Sequence, residues 1–225
     1  MTVLVVAAHP DDEVLGCGGT MARLAAEGHA VHVLILGEGE TSRHAQRGDA
    51  DAATVRTLGA QAQRAGEILG AESVTVKPLP DNRFDGVDLL DIVKVVEQAV
   101  TDVGPTLVFT HHAADLNIDH SLTCRAVVTA TRPLPGSSVS DVYAFEVNSS
   151  TEWAFHETTA FRPNTFFDIT TTLDKKLAAI SAYEAELRDF PHPRSVEALT
   201  AAAQRWGSVS GYGAAEAFQL LRSCR

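Results

Sequence analysis

The feature that most constrains this fold is a repeated alternation of short apolar runs with longer amphipathic stretches. The apolar runs are continuous rather than alternating, and β-branched residues are common in them. Such runs are typical of strands buried on both faces, as in parallel sheets that carry helices on each side. Because parallel crossovers are right-handed, the pattern predicts an α/β fold with an open, doubly wound and mostly parallel sheet. The predicted strands are Thr2–Ala8, Ala30–Leu36, Ser73–Lys77, Thr106–Thr110, Val142–Val147 and Thr165–Ile169.

The stretches between these runs have helical periodicity, with apolar residues recurring on one face. No linker, internal repeat or low-complexity segment interrupts the order. We therefore expect a single domain over residues 1–225, in which residues 1–147 form the core sheet with the candidate site and residues 148–225 complete the fold with a strand and helices. The predicted helices are Glu13–Glu27, Ala52–Leu69, Val87–Val100, Asp119–Thr131, Leu173–Leu187, Val196–Arg205 and Ala214–Arg222.

The charge of the chain excludes some classes of partner. Lys and Arg number 18 and Asp and Glu number 29, which gives a formal net charge of −11, and no basic run occurs. A chain with this balance is poorly suited to binding phosphate backbones or anionic membranes. We therefore expect a small-molecule substrate and no nucleic-acid partner.

Cysteine usage and the first residues of the chain bear on its location. Cys17, Cys124 and Cys224 are widely spaced and form no CxxC pair, which favours a reducing compartment and argues against a cysteine-built zinc site. The first residues are apolar but lack a basic region and a small-residue cleavage site, so they are interpreted as a strand and not as a signal peptide. No apolar run approaches the roughly 20 residues of a transmembrane helix. The expectation is a cytoplasmic protein without a membrane span.

Two clusters of imidazole and carboxylate groups directly follow predicted strands. The first strand is followed by HPDDE at His9–Glu13, and the fourth by His111 and His112 and then by DLNIDH at Asp115–His120. Ligands of doubly wound sheets bind beyond the carboxyl ends of the strands. Segments far apart in the chain therefore deliver these groups to one edge of the sheet.

These residue types suit a metal ion. Zn²⁺ accepts histidine nitrogen and carboxylate oxygen, and a catalytic zinc site uses three protein ligands and keeps one position open. His9 and Asp12 share one turn and can converge, and His120 would complete a set of three, with His111 or His112 as the alternative third ligand. Such a set with open positions also suits Fe²⁺.

Three glycines lie within the first predicted helix, at Gly16, Gly18 and Gly19. In an exposed helix each would cost about 1 kcal/mol relative to alanine. Close packing of this helix against the sheet or a ligand would compensate.

The segments AHPDDEVLGCGGT and THHAADLNIDH resemble the PIG-L/LmbE-like zinc-dependent de-N-acetylases, and LPDNRFD at Leu79–Asp85 extends the similarity. The resemblance implies a Rossmann-like fold and removal of acetyl groups from N-acetylglucosaminyl or related amino-sugar conjugates. It implies His9, Asp12 and His120 as ligands of Zn²⁺, and Asp11 as the general base that activates water. Relatives of this kind often assemble, so a homo-oligomer is a further expectation.

The sequence departs from this family at one position. Many members have a histidine three residues before the last zinc ligand, where it steadies the oxyanion, and this chain has Asn117. An asparagine amide can donate a hydrogen bond to an oxyanion, a contact worth about 10²–10³ in rate, but it cannot supply a proton. We expect Asp11 to protonate the leaving amine, with Asp115, His111 and His112 as the next candidates.

Further polar and aromatic residues follow other predicted strands. Asp81, Asn82 and Arg83 follow the third strand and suit sugar hydroxyls or a phosphate, although they also suit an ordinary turn. Arg43 follows the second strand and Trp153 the fifth. We expect these residues, together with His111 and His112, to contact substrate, with a core or surface role as the alternative for each. The segment His192–Ser195 is either a loop that reaches the pocket or the start of a helix with Ser195 as its N-cap.

Two other functions are consistent with the same residues. A deacylase could act on a longer acyl group or another glycoconjugate amide. A non-catalytic nucleotide-binding domain would use the glycines after the first strand to hold pyrophosphate. That second alternative is weaker, because GxGxxG is absent and Asp11 and Asp12 in the turn would repel phosphate.

Overall fold

Seven strands form the frame of the protein in the computed structural model, which describes residues 1–41, 52–155 and 159–225, without the side chains of residues 52 and 55. The strands are β1 (Thr2–Ala7), β2 (Ala30–Gly37), β3 (Ser73–Leu79), β4 (Leu107–His111), β5 (Asp141–Phe145), β6 (Thr165–Asp168) and β7 (Ala215–Ser223). They form one sheet in the order β3-β2-β1-β4-β5-β7-β6. All pairs among β1 to β5 are parallel, whereas β7 is antiparallel to both β5 and β6.

Helices cover both faces of this sheet. Within the described ranges they are α1 (Asp12–Ala26), α2 (Ala52–Leu69), α3 (Leu89–Val103), α4 (Ile118–Ala130), α5 (Leu173–Ile180) and α6 (Val196–Ser210). α1, α2 and α5 pack in one hydrophobic core, and α3 and α4 pack in a second core on the opposite face. The predicted α/β class with a mostly parallel, doubly wound sheet is confirmed.

The two cores explain why the apolar runs are continuous. Val3 and Val5 of β1 belong to the first core, and Leu4 and Val6 belong to the second. Because alternate side chains of a strand point to opposite faces, a strand between two cores must be apolar at every position.

The predicted helix at Ala214–Arg222 is wrong, because this segment forms β7. Its sequence is rich in alanine, leucine, glutamate and glutamine, which favour helix. Pairing with β5 and β6 in the interior of the sheet overrides that preference, and the first four residues of β7 are fully enclosed. The helix predicted over Leu173–Leu187 also ends earlier, at Ile180.

The glycines of α1 allow close packing against the sheet, as predicted. A methyl group at Gly16 would overlap with the ring of Phe145, and one at Gly19 would lie 2.9 Å from Ile169. The helix is kinked at Cys17, whose φ is −148° and ψ is 21°. This segment is therefore shaped by contact with the layer beneath it.

A buried ion pair binds backbone groups on both sides of that kink. Glu216 of β7 accepts hydrogen bonds from the backbone N–H groups of Gly19 at 3.0 Å and Thr20 at 2.7 Å. Lys176 of α5 donates to Glu216 at 2.6 Å and to the carbonyl of Leu15 at 2.8 Å. The kinked part of α1 is thus held by side chains of α5 and β7. No helix in the described part of the chain is both long and apolar enough to cross a membrane.

Candidate functional site

The candidate site lies at the carboxyl ends of β1 and β4, which are neighbours in the sheet. The chain leaves β1 towards β2 on one side, whereas β4 is followed by β5 on the other side. This reversal of strand order opens a crevice, which is the usual ligand position in doubly wound sheets. HPDDE lines it from β1, and DLNIDH from the loop between β4 and α4.

The backbone is strained around this crevice. Four non-glycine residues of the described chain have positive φ, and all four line the same cavity: Asp11, Glu40, Asn82 and Ser149. Asp11 has a φ of 107° and a ψ of −30°, far from the regions that L-residues favour. Each such residue costs about 1–3 kcal/mol, and strain of this kind clusters at functional sites.

Three of the predicted ligand side chains converge. Asp12 Oδ2 lies 3.3 Å from His9 Nδ1 and 3.2 Å from His120 Nε2. One ligand atom from each of His9, Asp12 and His120 lies within 4.8 Å of the other two. The donor set matches that of three-ligand zinc sites.

Further carboxylates lie behind both histidines. His9 Nε2 donates to Asp119 Oδ2 at 2.9 Å, and Asp81 Oδ1 lies 3.2 Å from the same nitrogen. His120 Nδ1 lies 3.2 Å from Asp115 Oδ1. Each ring therefore directs one nitrogen towards Asp12 and the other towards a carboxylate, which is the usual support of metal-binding histidines.

These outer carboxylates are themselves fixed. Asp119 Oδ1 accepts from the backbone N–H of Phe84 at 2.9 Å. Asp115 accepts from the hydroxyls of Ser150 and Thr151 and from the backbone N–H of Asn117. Because its oxygens face His120 and these donors, Asp115 is placed to orient the histidine.

The cluster binds positive charge strongly. Burial lowers the pKa of His9, but hydrogen bonds to Asp119 and Asp12 outweigh it and raise that pKa to about 10. Burial likewise lowers the pKa of His120, and the charge of Asp12 with its contacts raises it to about 9. The site thus holds protons where a divalent cation would replace them, and metal binding releases such protons. This observation, with the donor set, fits a bound divalent metal.

Asp11 lies beside these groups and is 3% exposed. Burial raises the pKa of its carboxyl well above the usual value, and the charge of Arg194 opposes that rise. Arg194 Nη1 donates to Asp11 Oδ2 at 2.6 Å and to Glu186 Oε2 at 3.1 Å. Its Nε donates to the Ser149 hydroxyl at 2.7 Å.

The groups surround a polar cavity of about 180 Å³. Asn117 lines it and caps α4, because its Oδ1 accepts from the Asp119 N–H while its Nδ2 donates to Asn82 Oδ1, both at 2.9 Å. The described lining residues are His9, Asp11, Asp12, Gly39, Glu40, Asp81, Asn82, Asn117, His120, Ser149, Ser150, Glu186 and Arg194.

Three of the predicted substrate contacts, His111, His112 and Trp153, are not among the described residues that line this cavity. His111 is buried behind the site, where its Nε2 accepts from the Ala8 N–H at 2.8 Å and its ring stacks on His120 with centroids 4.0 Å apart. His112 packs edge-on against Phe161. Trp153 packs edge-on against His192, with centroids 5.9 Å apart.

The two arginines among the predicted substrate contacts are not part of the described cavity lining. Arg83 is exposed and is not among the described residues that line the cavity, although its neighbours Asp81 and Asn82 are. Arg43 lies outside the described residues.

Sequence reasoning missed Glu186 and treated Arg194 only as part of a loop that either reaches the pocket or starts a helix. Both descriptions of this segment hold, because Arg194 lines the cavity and Ser195 caps α6 by accepting from the Ala198 N–H at 3.1 Å. Asp119 was also missed as a partner of His9. Its position directly before His120 in DLNIDH was the available signal.

Comparisons with known proteins identify relatives of this chain. Residues 4–131 match the family described as PIG-L, GlcNAc-PI de-N-acetylase. The chain is 35% identical over 195 residues to 4-oxalmesaconate hydratase of Pseudomonas putida, covering 80% of this chain and 71% of that protein. It is 26% identical over 187 residues to a probable N-acetyl-alpha-D-glucosaminyl L-malate deacetylase 2 of Bacillus cereus, covering 82% of this chain and 83% of that protein.

Among solved structures, the chain is similar to the conserved protein TT1542 of Thermus thermophilus. The TM-score is 0.77 at 26% identity, over 99% of this chain and 96% of that chain. The relatives include deacetylases and a hydratase, and the family match contains both HPDDE and DLNIDH. The resemblance noted in the sequence is thereby confirmed, and the chain belongs to the PIG-L family.

Proposed function

We propose that this protein is a metal-dependent hydrolase that removes an N-acetyl group from an N-acetylglucosaminyl or related amino-sugar conjugate. The observation that carries the proposal is the convergence of His9, Asp12 and His120 beside the buried carboxylate of Asp11. The activity named for the Bacillus cereus relative supports the same chemistry.

His9 Nδ1, Asp12 Oδ2 and His120 Nε2 would hold Zn²⁺, with Fe²⁺ as the alternative metal because the same donor types suit ferrous iron. When bound, such an ion polarises the acyl carbonyl and lowers the pKa of water. Asp119 and Asp115 keep the two imidazole rings in the orientation that this role needs.

Asp11 is the general base in this proposal. Its carboxylate takes a proton from water as the water oxygen bonds to the acyl carbon, and it returns a proton to the nitrogen as the C–N bond breaks. The products are acetate and a free amine. Arg194 holds the carboxylate in place through the 2.6 Å contact. Asp11 acting as base and then as acid needs no histidine at position 117.

Asn117 is the candidate donor to the oxyanion. Its Nδ2 now donates to Asn82 Oδ1, so a substrate oxygen would have to replace Asn82 as the acceptor. A side-chain amide in this role stabilises developing negative charge without transferring a proton.

Hydration of an unsaturated acid is the second candidate function, because the Pseudomonas putida relative is a hydratase at 35% identity. The same residues could activate water for addition to a carbon–carbon double bond. The charge of the cavity argues against a polycarboxylate substrate. Five carboxylate residues line it, namely Asp11, Asp12, Glu40, Asp81 and Glu186. Arg194, the one lysine or arginine among the described lining residues, already contacts two of them, and like charges repel.

A substrate panel separates these functions. Protein loaded with Zn²⁺ is incubated with N-acetylglucosamine conjugates, with longer-chain N-acyl analogues and with 4-oxalmesaconate, and acetate, amine and loss of the conjugated double bond are measured. We expect acetate and amine in equal amounts, loss of turnover after chelation, and recovery when Zn²⁺ is restored.

Two variants control that experiment. His120→Ala should abolish amide hydrolysis. His29→Ala removes a histidine that contacts the N-terminal amine, and this variant should hydrolyse the amide at the wild-type rate. Hydration of 4-oxalmesaconate without acetate release would replace the proposal by the second candidate. Absence of both activities in the metal-loaded protein would refute both.

A further inference from the structure

The strained backbone of Asp11 has a specific partner. Its N–H donates to Glu13 Oε2 at 3.1 Å, inside the same turn. Glu13 is 2% exposed, and it is not among the described residues that line the cavity, whereas Asp11 and Asp12 are. A positive φ persists in a non-glycine residue only when the surrounding contacts hold it, and this hydrogen bond is one such contact.

Glu13 is in turn held from the far end of the chain. The hydroxyl of Tyr183 donates to Glu13 Oε1 at 2.6 Å, across 170 positions of sequence. Tyr183 is fully buried and lies in the segment between α5 and α6. Both oxygens of the Glu13 carboxylate therefore have a named donor, one from the turn and one from this segment.

The same segment also reaches the side chain of Asp11. The Glu186 N–H donates to the Tyr183 carbonyl at 2.9 Å, and Glu186 contacts Arg194, which donates to Asp11. The segment thus fixes Asp11 through its backbone and through its carboxylate. It lies outside residues 4–131, the part of the chain that matches the family.

We propose that Glu13 and Tyr183 are positioning residues that hold the backbone of Asp11 in the conformation that directs its carboxylate into the cavity. The inference rests on the proposed role of Asp11 as general base. Neither residue touches substrate in this account, and neither binds the metal. Their contribution is to orientation, and small misplacements of a reacting group can cost about 10²-fold in rate.

Hydrogen exchange of the Asp11 backbone amide tests the contact in metal-free protein, without any assay of activity. Exchange is measured by NMR in the wild type and in Glu13→Ala, Glu13→Gln and Tyr183→Phe. We expect at least about 10-fold faster exchange in Glu13→Ala, because the acceptor is lost. Glu13→Gln retains an amide oxygen and should restore most of the protection.

Steady-state kinetics then test the consequence. We expect kcat of the zinc-loaded protein to fall about 100-fold in Glu13→Ala and about 10-fold in Tyr183→Phe, with KM and the metal content per chain unchanged. Tyr143→Phe is the matched control, since Tyr143 packs among Phe109, Phe167 and Phe218 of the sheet and should behave as wild type.

The outcomes are distinguishable. Unchanged exchange at Asp11 in both Glu13→Ala and Tyr183→Phe would overturn the inference, whatever the activity. Faster exchange with an unchanged kcat would also overturn it, because the contact would then be structural only. If Glu13→Ala does not fold, Tyr183→Phe carries the test, because it removes the donor to Glu13 Oε1, and Glu13→Gln is its control with most of the protection retained. A wild type without hydrolase activity would instead refute the proposed function.

Discussion

Loss of the Glu216 carboxylate should strongly destabilise the protein. Glu216 is 4% exposed and Lys176 is 6% exposed, and Glu216 accepts from Lys176 and from two backbone N–H groups of α1. In Glu216→Gln, Lys176 would retain a buried charge without its counter-ion, and the new amide N–H₂ group would face a backbone donor. Breaking one partner of a buried ion pair costs about 3–5 kcal/mol of the free energy of unfolding.

For a chain of this length, that loss corresponds to a fall in Tm of about 6–20 °C. Thermal and urea unfolding followed by circular dichroism would measure it. Glu67→Gln is the control, because it removes the same charge from an exposed pair with Arg64 and should change Tm little. Equal Tm values for the two variants would refute the claim that this pair supports the kinked helix.

Three further outcomes follow from the packing and the site. Gly16→Ala should lower the free energy of unfolding by about 1–3 kcal/mol in urea titrations, because the added methyl group overlaps with the ring of Phe145. Gly59→Ala should raise the free energy of unfolding by about 0.4–1 kcal/mol, because Gly59 has open space around it, and the reverse order of the two variants would contradict the packing. A thiol reagent should label only Cys224 in the native protein, because burial raises the pKa of the Cys17 thiol and raises that of Cys124 to about 12. Mass spectrometry should show one adduct on the native protein and three on the unfolded protein, and three adducts on the native protein would contradict the burial of Cys17 and Cys124. Asp115→Asn should weaken Zn²⁺ affinity about 10- to 100-fold in competition with a chelating dye, and unchanged affinity would remove Asp115 from the support of His120.

The sequence predicted the parallel part of the sheet well, for a physical reason. A strand between two cores is apolar at every position, as in β1, so local composition alone identifies it. β7 lies between two antiparallel neighbours, but its first residues, Ala215–Phe218, favour helix by local preference. Only pairing with β5 and β6, remote in sequence, makes it a strand, and such pairing leaves no local signal.

The candidate site likewise contains residues that local sequence indicates and residues that it does not. The sequence indicates His9, Asp12 and His120 as candidate ligands because each follows a predicted strand or begins the next helix, and the fold brings these three side chains together. Glu186 and Tyr183 come from a segment about 170 residues away from the turn they support. Nothing in their local sequence indicates that contact, since it depends on how the end of the chain returns to β1.

The most direct test of the central claim compares acetate release by the wild type and by Asp11→Asn, each carrying one Zn²⁺ per chain as measured by mass spectrometry. The account predicts that the wild type hydrolyses an N-acetylglucosamine conjugate and that the variant, with its metal retained, does so about 10²–10⁴-fold more slowly. Equal rates for the two proteins would contradict it, because Asp11 would then not be the base.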